Sequence, residues 1–368
     1  MKTALRSLLL LFGMSISLQV ISAPKNYKAN FIIGKAEVQS MNSLAFGPEG
    51  ILFIGDSKSA LVFAIDTKDI SINEAAEVKL EKIDQHIADL LGSNVEEVHI
   101  QDLAVNPISK NIYVAVHHAD GTPVLLRIEG DKITSVSLDH VGFSQASINN
   151  AVGEDAKDHR GRSLRTWSIS DLVYSDDQVM VSGLSNQEFS STFRSMPFPF
   201  TDDQKQSSLE IYHAAHGKYE TYAPIKTFTT ATFNGQPHLV ASFTCTPLVV
   251  FPLESLKPST HVKGRTVAEL GNWNTPLDIM EMDKEGEKFL LIANSNRALM
   301  KINYKDIEKF EGSLTEPVPR SDTEGVNFIA LPFVNVQQLD KVNDDTFVMI
   351  QRKSNGNLDL FTVGVRSL

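Results

Sequence analysis

One pattern recurs six times along this chain and limits its fold more than any composition does. An apolar strand is followed by a polar turn, a second apolar strand, a short polar loop, and a third strand ending near an acidic or turn residue. In order, the triplets are SLAF, ILFIGD and LVFAID from Ser43; DLAV, IYVAV and LLRIEG from Asp102; DLVY, VMVSG and LEIYH from Asp171; TATF, HLVASF and LVVFPL from Thr230; DIMEM, FLLIAN and ALMKI from Asp278; and QQLDKV, TFVMIQ and LDLFTV from Gln337. The turns GPEG, NPISKN and SDDQ carry the Gly, Pro, Asn and Asp that tight hairpins need. Strands this rich in Val, Ile, Leu and Phe must be covered on both faces, and radial stacking around an axis provides that cover.

The expectation is an all-β, six-bladed β-propeller forming a single domain over residues 24–368. The more variable fourth strands are read in VKLEKI, ITSVSL, YETYAP and TVAEL. Blade six reaches the C-terminus without one, whereas NYKANFIIGKAEV, from Asn26, is a strand with no blade. The economical expectation is a propeller closed by this N-terminal strand, which joins blade six and leaves no raw sheet edge. Three insertions interrupt the repeat. KIDQHIADLLGSN places Ile83, Ile87, Leu90 and Leu91 at helical spacing before Gly92, a short helical insertion. Residues 139–163 read as a long polar loop, and STFRSMPFPFTDDQ as a smaller insertion within blade three.

Residues 1–23 read as a signal peptide: Lys2 and Arg6, then the apolar Leu8 to Ile21, then the small Ser22 and Ala23. A periplasmic or secreted protein follows, and no later run is long and apolar enough for a transmembrane segment. Cys245 is the only cysteine, so an intrachain disulfide is impossible and the core alone must hold the fold. Asp and Glu number 45 against 34 Lys and Arg, a net charge of -11, which repels phosphate backbones and excludes nucleic acid as a partner. Arg160, Arg162 and Arg165 sit beside Glu154, Asp155 and Asp158 and read as a solvated loop.

GDSKSALVFAID and ANSNRALMKIN resemble the recurring segment of the NHL-like and gluconolactonase/strictosidine-synthase-like six-bladed propellers, in which a strand ending in Asp or Asn meets a small polar loop. The resemblance spans most of the chain after the signal peptide and is one of fold. It implies a lactonase-like hydrolase as one function, and a calcium or similar ion held in the channel by carboxylates. The chain departs from that pattern at Asn42 and Ser43, where those proteins place a Glu, although Asp102, Asp171 and Asp278 recur at blade starts.

In such a meander, the loop entering the first strand and the loop between strands two and three open on one face. Ligand-binding candidates there are Asp56, Gln101, Asp171, Asn186, Trp273, Asn274, Asn296 and Arg297. Trp273 between two asparagines suits a sugar or lactone. Metal candidates are His99, His117, His118 and Cys245, an imidazole and thiolate set that favours copper or zinc over calcium. A cysteine nucleophile would need the same geometry. His213 and His216 in YHAAHG have metal-like spacing, but as followers of a third strand they are expected at the opposite rim. No G-x-S-x-G elbow, P-loop, dinucleotide fingerprint or C-x-x-C-H occurs. The function expected is an exported propeller that binds a small ligand, with a metal ion as an option, at the channel mouth. The alternatives are a scaffold for another exported protein and the lactonase-like hydrolase. Catalytic residues are not assignable from the sequence.

Overall fold

A computed structural model describes residues 25–74, 77–319 and 322–368, so the signal peptide expected over residues 1–23 lies outside the described residues. Six sheets, antiparallel save for the parallel pairing of Lys205–His213 with Thr260–Lys263, surround a central channel, and the described residues include two α-helices, Ile83–Leu91 and Tyr304–Lys309. Blades are numbered by the chain order of their inner strands: Ser43–Phe46, Val98–Val105, Asp171–Ser175, Ile225–Phe233, Pro276–Lys284 and Val336–Asn343. The six-bladed propeller read from the repeat is present.

The blades do not follow one another around the ring in chain order. Inner strands touch in the circuit two, one, three, four, five, six and back to two, so blade two stands between blades six and one. The buried clusters tell the same story. Leu103, Val114 and Val116 of blade two pack with Val348 and Ile350 of blade six, while Tyr113 and Ala115 pack with Leu52 and Phe63 of blade one. At the seam of blades one and three, buried Phe53 stacks on Tyr174 with centroids 5.4 Å apart and meets Phe198 edge-on at 4.8 Å. Such ring pairs add roughly 0.5–1.5 kcal/mol beyond their buried area.

Closure differs from the sequence expectation. The N-terminal strand does not join blade six: Ile32–Gly34 pairs with Val141–Ser147 on the outer edge of blade one. Blade six instead receives Lys79–Leu80, read from sequence as the fourth strand of blade one, which pairs with Leu360 and Phe361. The fourth strand of blade one is Val141–Ser147, inside the stretch expected to be loop. The chain therefore lends an edge strand to blade six before building blade two, then returns to complete blade one. Both raw edges disappear, but by exchange between blades.

Blade three holds the second difference. Ser191–Pro197, inside the supposed insertion STFRSMPFPFTDDQ, is its third strand, and Lys205–His213 is its fourth. Arg194 disguises the strand. It is fully buried, and its guanidinium donates to the carbonyl oxygens of Asn149, Ser168 and Leu184, so a charged side chain joins Ser191, Thr192 and Ser195 in a strand that shows no apolar alternation. This extra strand reverses the direction of LEIYH and carries His213 to the face on which the inner strands begin. The helical insertion behaves as expected: Ile83 and Ile87 are buried against blades two and six, and Gly92 ends it at φ 66°.

Candidate functional site

Near the start of the inner strands, side chains from successive blades form a belt around the channel. Asp102 accepts the Leu44 N–H at 2.7 Å, Asp171 the Phe228 N–H at 2.9 Å, and Asp278 the Leu339 N–H at 2.9 Å, each from the next blade. Asp340, two residues further into blade six, accepts the Val105 N–H at 2.6 Å. Blade one has Ser43 in this position; its hydroxyl accepts the Leu172 N–H and donates to Asp171. Each aspartate also takes the N–H of the residue that follows it. Each aspartate thereby ties backbone N–H groups of two adjacent blades together.

Burial and mutual repulsion shift these acids strongly. Burial, then the charge of Asp171, pushes Asp102 up to about 8. Burial and Asp102 hold Asp278 well above the usual carboxylate range, burial raises Asp171, and burial lifts Asp340 to about 6. A cavity of about 580 Å³ runs from this belt to Lys110, Asn343 and Asp344, toward the opposite face. Of the expected ligand residues it touches only Asp171.

The others lie elsewhere, in hydrogen bonds and contacts of their own. Asp56 is buried and binds Gln39 N–H, Ser40 Oγ and Ser59 N–H. Buried Asn274 donates to Asn294 and accepts from Asn296 N–H. Gln101 donates to the His99 carbonyl, Asn186 pairs its backbone N–H with the Asn150 carbonyl, and the Arg297 guanidinium packs over the bare Cα of Gly271.

The expected metal set is not brought together. His99 and His117 face each other across strands of blade two, which stands opposite blade four, home of Cys245. His117 Nε2 accepts the Met41 N–H at 2.9 Å and is already engaged. His118 ends the same strand. The residues that do meet Cys245 are the two histidines expected at the far rim. One ligand atom each from His213, His216 and Cys245 lies within 4.8 Å of the others, the one such group among the described residues. The reversal of LEIYH by the unrecognised third strand is the physical reason.

Glu220 organises the pair. His213 Nδ1 lies 2.9 Å from Glu220 Oε2 and His216 Nδ1 lies 2.8 Å from Oε1, with the rings 3.8 Å apart. Burial opposes the charge on Glu220, but hydrogen bonds from both histidines outweigh it and hold it at about 2. A carboxylate accepts only, so both Nδ1 atoms carry protons and each Nε2 presents a lone pair. His213 Nε2 is buried with no hydrogen-bond partner in the structure. Burial, then Glu269 and Glu220, push the Cys245 thiol up. That direction disfavours a free thiolate nucleophile. Glu269, itself buried, accepts the Ala215 N–H at 3.2 Å and lies 3.2 Å from Thr246 Oγ1.

The backbone here is strained. Among described non-glycine residues with positive φ, only Thr246 at 78° is β-branched and only Trp273 at 60° is aromatic; Cys245 adds 66°. Cys245 and Trp273 border one pocket of about 720 Å³, together with His216, Lys218 and Tyr222. Asn296 fixes Trp273 by donating to its carbonyl at 2.6 Å, and the indole is 71% exposed. Of the sequence-expected residues, this site keeps Cys245, Trp273 and, as a brace, Asn296. Sequence reasoning noted the spacing of His213 and His216 but set them at the opposite rim, and it passed over Glu220, Lys218 and Tyr222, although a Glu four residues after H-x-x-H was visible in YHAAHGKYE.

No family model and no curated protein matches the chain. Solved structures resemble it weakly. Drosophila semaphorin 1b, extracellular domains 1–2, is 7% identical at TM-score 0.39, covering 93% of this chain and 86% of that one. The PQQ-bound aldose sugar dehydrogenase of Streptomyces coelicolor is 12% identical at TM-score 0.32, covering 91% and 98%. The WD40 β-propeller domain of Doa1 is 8% identical at TM-score 0.34, covering 91% and 97%. Likeness this slight says nothing of function, and the propeller assignment stands on the six sheets themselves.

Proposed function

We propose that this is an exported propeller that binds a small ligand in the pocket between blades three and four. The single observation behind the reading is Trp273, a large aromatic ring held exposed on a left-handed backbone at the pocket mouth. Exposing an indole on a strained backbone costs free energy twice, and a stacking platform for a ligand is the use that such a ring serves. Lys218 Nζ, 2.7 Å from Tyr222 Oη, places a cation and a phenol across the same space. A compact ligand with one flat face and oxygen acceptors fits that lining.

Export rests on the charged, apolar and small-residue succession of residues 1–23. Mass spectrometry of the mature protein is expected to show an N-terminus near Ala23 or Pro24. Ligand binding is tested in the Trp167→Phe background, which leaves Trp273 as the one remaining indole. Titration with a panel of sugars, lactones and aromatic acids is expected to quench that fluorescence. Binding measured by calorimetry should weaken about tenfold in Trp273→Ala, or about 1.4 kcal/mol. Equal affinity in that variant would end the reading.

A further inference from the structure

We propose that His213, His216 and Cys245 form a mononuclear site for copper or zinc, with one coordination position left toward the pocket. The inference stands whether or not the pocket takes an organic ligand. It starts from the donor set: two imidazoles and a thiol suit borderline and soft ions, and none of the three suits calcium. Ligand atoms within 4.8 Å of one another approach the edges of a tetrahedral site, about 3.3–3.6 Å for bonds of roughly 2.0–2.3 Å, after small side-chain rotations.

The surroundings prepare the atoms for an ion. Glu220 accepts hydrogen bonds from both Nδ1–H groups, which fixes the ring orientations and turns both Nε2 atoms away from it. A carboxylate behind a ligating histidine is the usual partner that orients the ring and raises its basicity. His213 Nε2, from a side chain only 1% exposed, has no protein donor to satisfy it. Glu220 and buried Glu269 supply negative potential that disfavours a free thiolate and favours a dication in the same place. Lys218 Nζ, 3.6 Å from Glu220 Oε1, is the neighbouring positive charge, and half of its side chain is in solvent. The left-handed backbone at Cys245 and Thr246 is the remaining mark, because strain of this kind persists where the surroundings impose it.

Binding exchanges a proton for the ion. The Cys245 S–H bond breaks, the proton passes to solvent, and the sulfur electron pair forms the metal bond, with no change in oxidation state. The three protein donors leave a fourth position, as in zinc sites that accept water or substrate, and it faces the space under Trp273 and Tyr222.

The test uses the full mature chain, stripped with a chelator and titrated with Zn2+ and, as an optical probe, Co2+. One equivalent of each should bind, and Co2+ should produce a thiolate charge-transfer band that Cys245→Ser lacks. Zn2+ affinity should fall by at least ~100-fold in His213→Gln and His216→Gln, and by about 10–100-fold in Glu220→Gln. His216 is 42% exposed, so His216→Gln keeps the test decisive even if His213→Gln folds poorly. His99→Gln and His118→Gln should bind as wild type. Less than one equivalent in the wild type, a cobalt band retained in Cys245→Ser, or metal lost from the His99 or His118 variants in place of His216→Gln would overturn the proposal.

Discussion

The belt of aspartates in the channel and the histidine–cysteine pocket on the rim are both built from partly or fully buried ionisable groups, yet they treat those groups oppositely. In the belt, Asp102, Asp171, Asp278 and Asp340 each give their oxygens to backbone N–H groups on two blades. At the rim, Glu220 is fully engaged so that the atoms beyond it, the Nε2 of His213 above all, are left unengaged. The belt uses polarity to fix the ring, and the rim uses it to aim donors at a space. Perturbed acids alone would have pointed to the channel. Tracing where each lone pair goes points to the rim.

The largest effect expected from breaking this contrast is at Asp171. Asp171→Ala would strand the Phe228 N–H and the Ser43 hydroxyl proton at the seam of blades one, three and four, while the Leu172 N–H keeps Ser43 Oγ. Each unsatisfied buried donor costs about 1–3 kcal/mol, so a loss of roughly 3 kcal/mol or more is expected by urea denaturation. His216→Gln, on an exposed ring, should move the same midpoint little. Equal losses in the two variants would show that the rim is as structural as the belt.

How much of this contrast was legible in the sequence depended on where the repeat was regular. Asp102, Asp171 and Asp278 announce the belt because each opens an apolar inner strand, and the recurrence fixed six blades. The exchange of edge strands was hidden because a two-residue strand such as Lys79–Leu80 carries no periodicity, and pairing partners are set by packing across the ring. The rim failed for one strand's sake. With Ser191, Thr192, Arg194 and Ser195, STFRSMP shows no apolar alternation and reads as an insertion, which gives every later residue of blade three the wrong direction. Cys245 was correctly placed on the face because blade four is regular. Its partners were not, because an odd number of missed strands exchanges top for bottom.

A smaller effect separates the two regions by pH. Asp102 stands at about 8 and Asp340 at about 6, against roughly 3.9 for an aspartate in the unfolded chain. Between about pH 4 and pH 8 the folded belt therefore retains protons that the unfolded chain has released. The stability it contributes is fully present below about pH 4 and is lost as pH rises through 6 and then 8. Asp171, Asp278 and Lys226 face Asp102, and Lys341 faces Asp340, so the transitions should be broad. Urea midpoints measured from pH 5 to pH 9 should decline, and Asp102→Asn should flatten the upper half of that decline. A wild-type midpoint that rises over the same range would mean that the belt ionises freely.

The smallest effect expected is the most specific to the rim, because the belt carries no comparable strain. Trp273 adopts φ 60°, a conformation that costs a residue with a Cβ about 1–2 kcal/mol, whereas glycine enters it freely. The indole is mostly in solvent, so removing it forfeits little packing. Trp273→Ala keeps the strain and Trp273→Gly releases it, at an offsetting cost of roughly 0.5–1 kcal/mol for the freer unfolded chain. Trp273→Gly should therefore be more stable than Trp273→Ala by about 0.5–1 kcal/mol in parallel urea melts, while both lose ligand-dependent stabilisation equally. That pairing, a gain in stability with a loss of binding, is what strain kept for function produces. If the glycine variant is instead the less stable of the two, neighbouring contacts hold the left-handed turn without stored strain, and the exposed indole at the pocket mouth must be explained by its ligand alone.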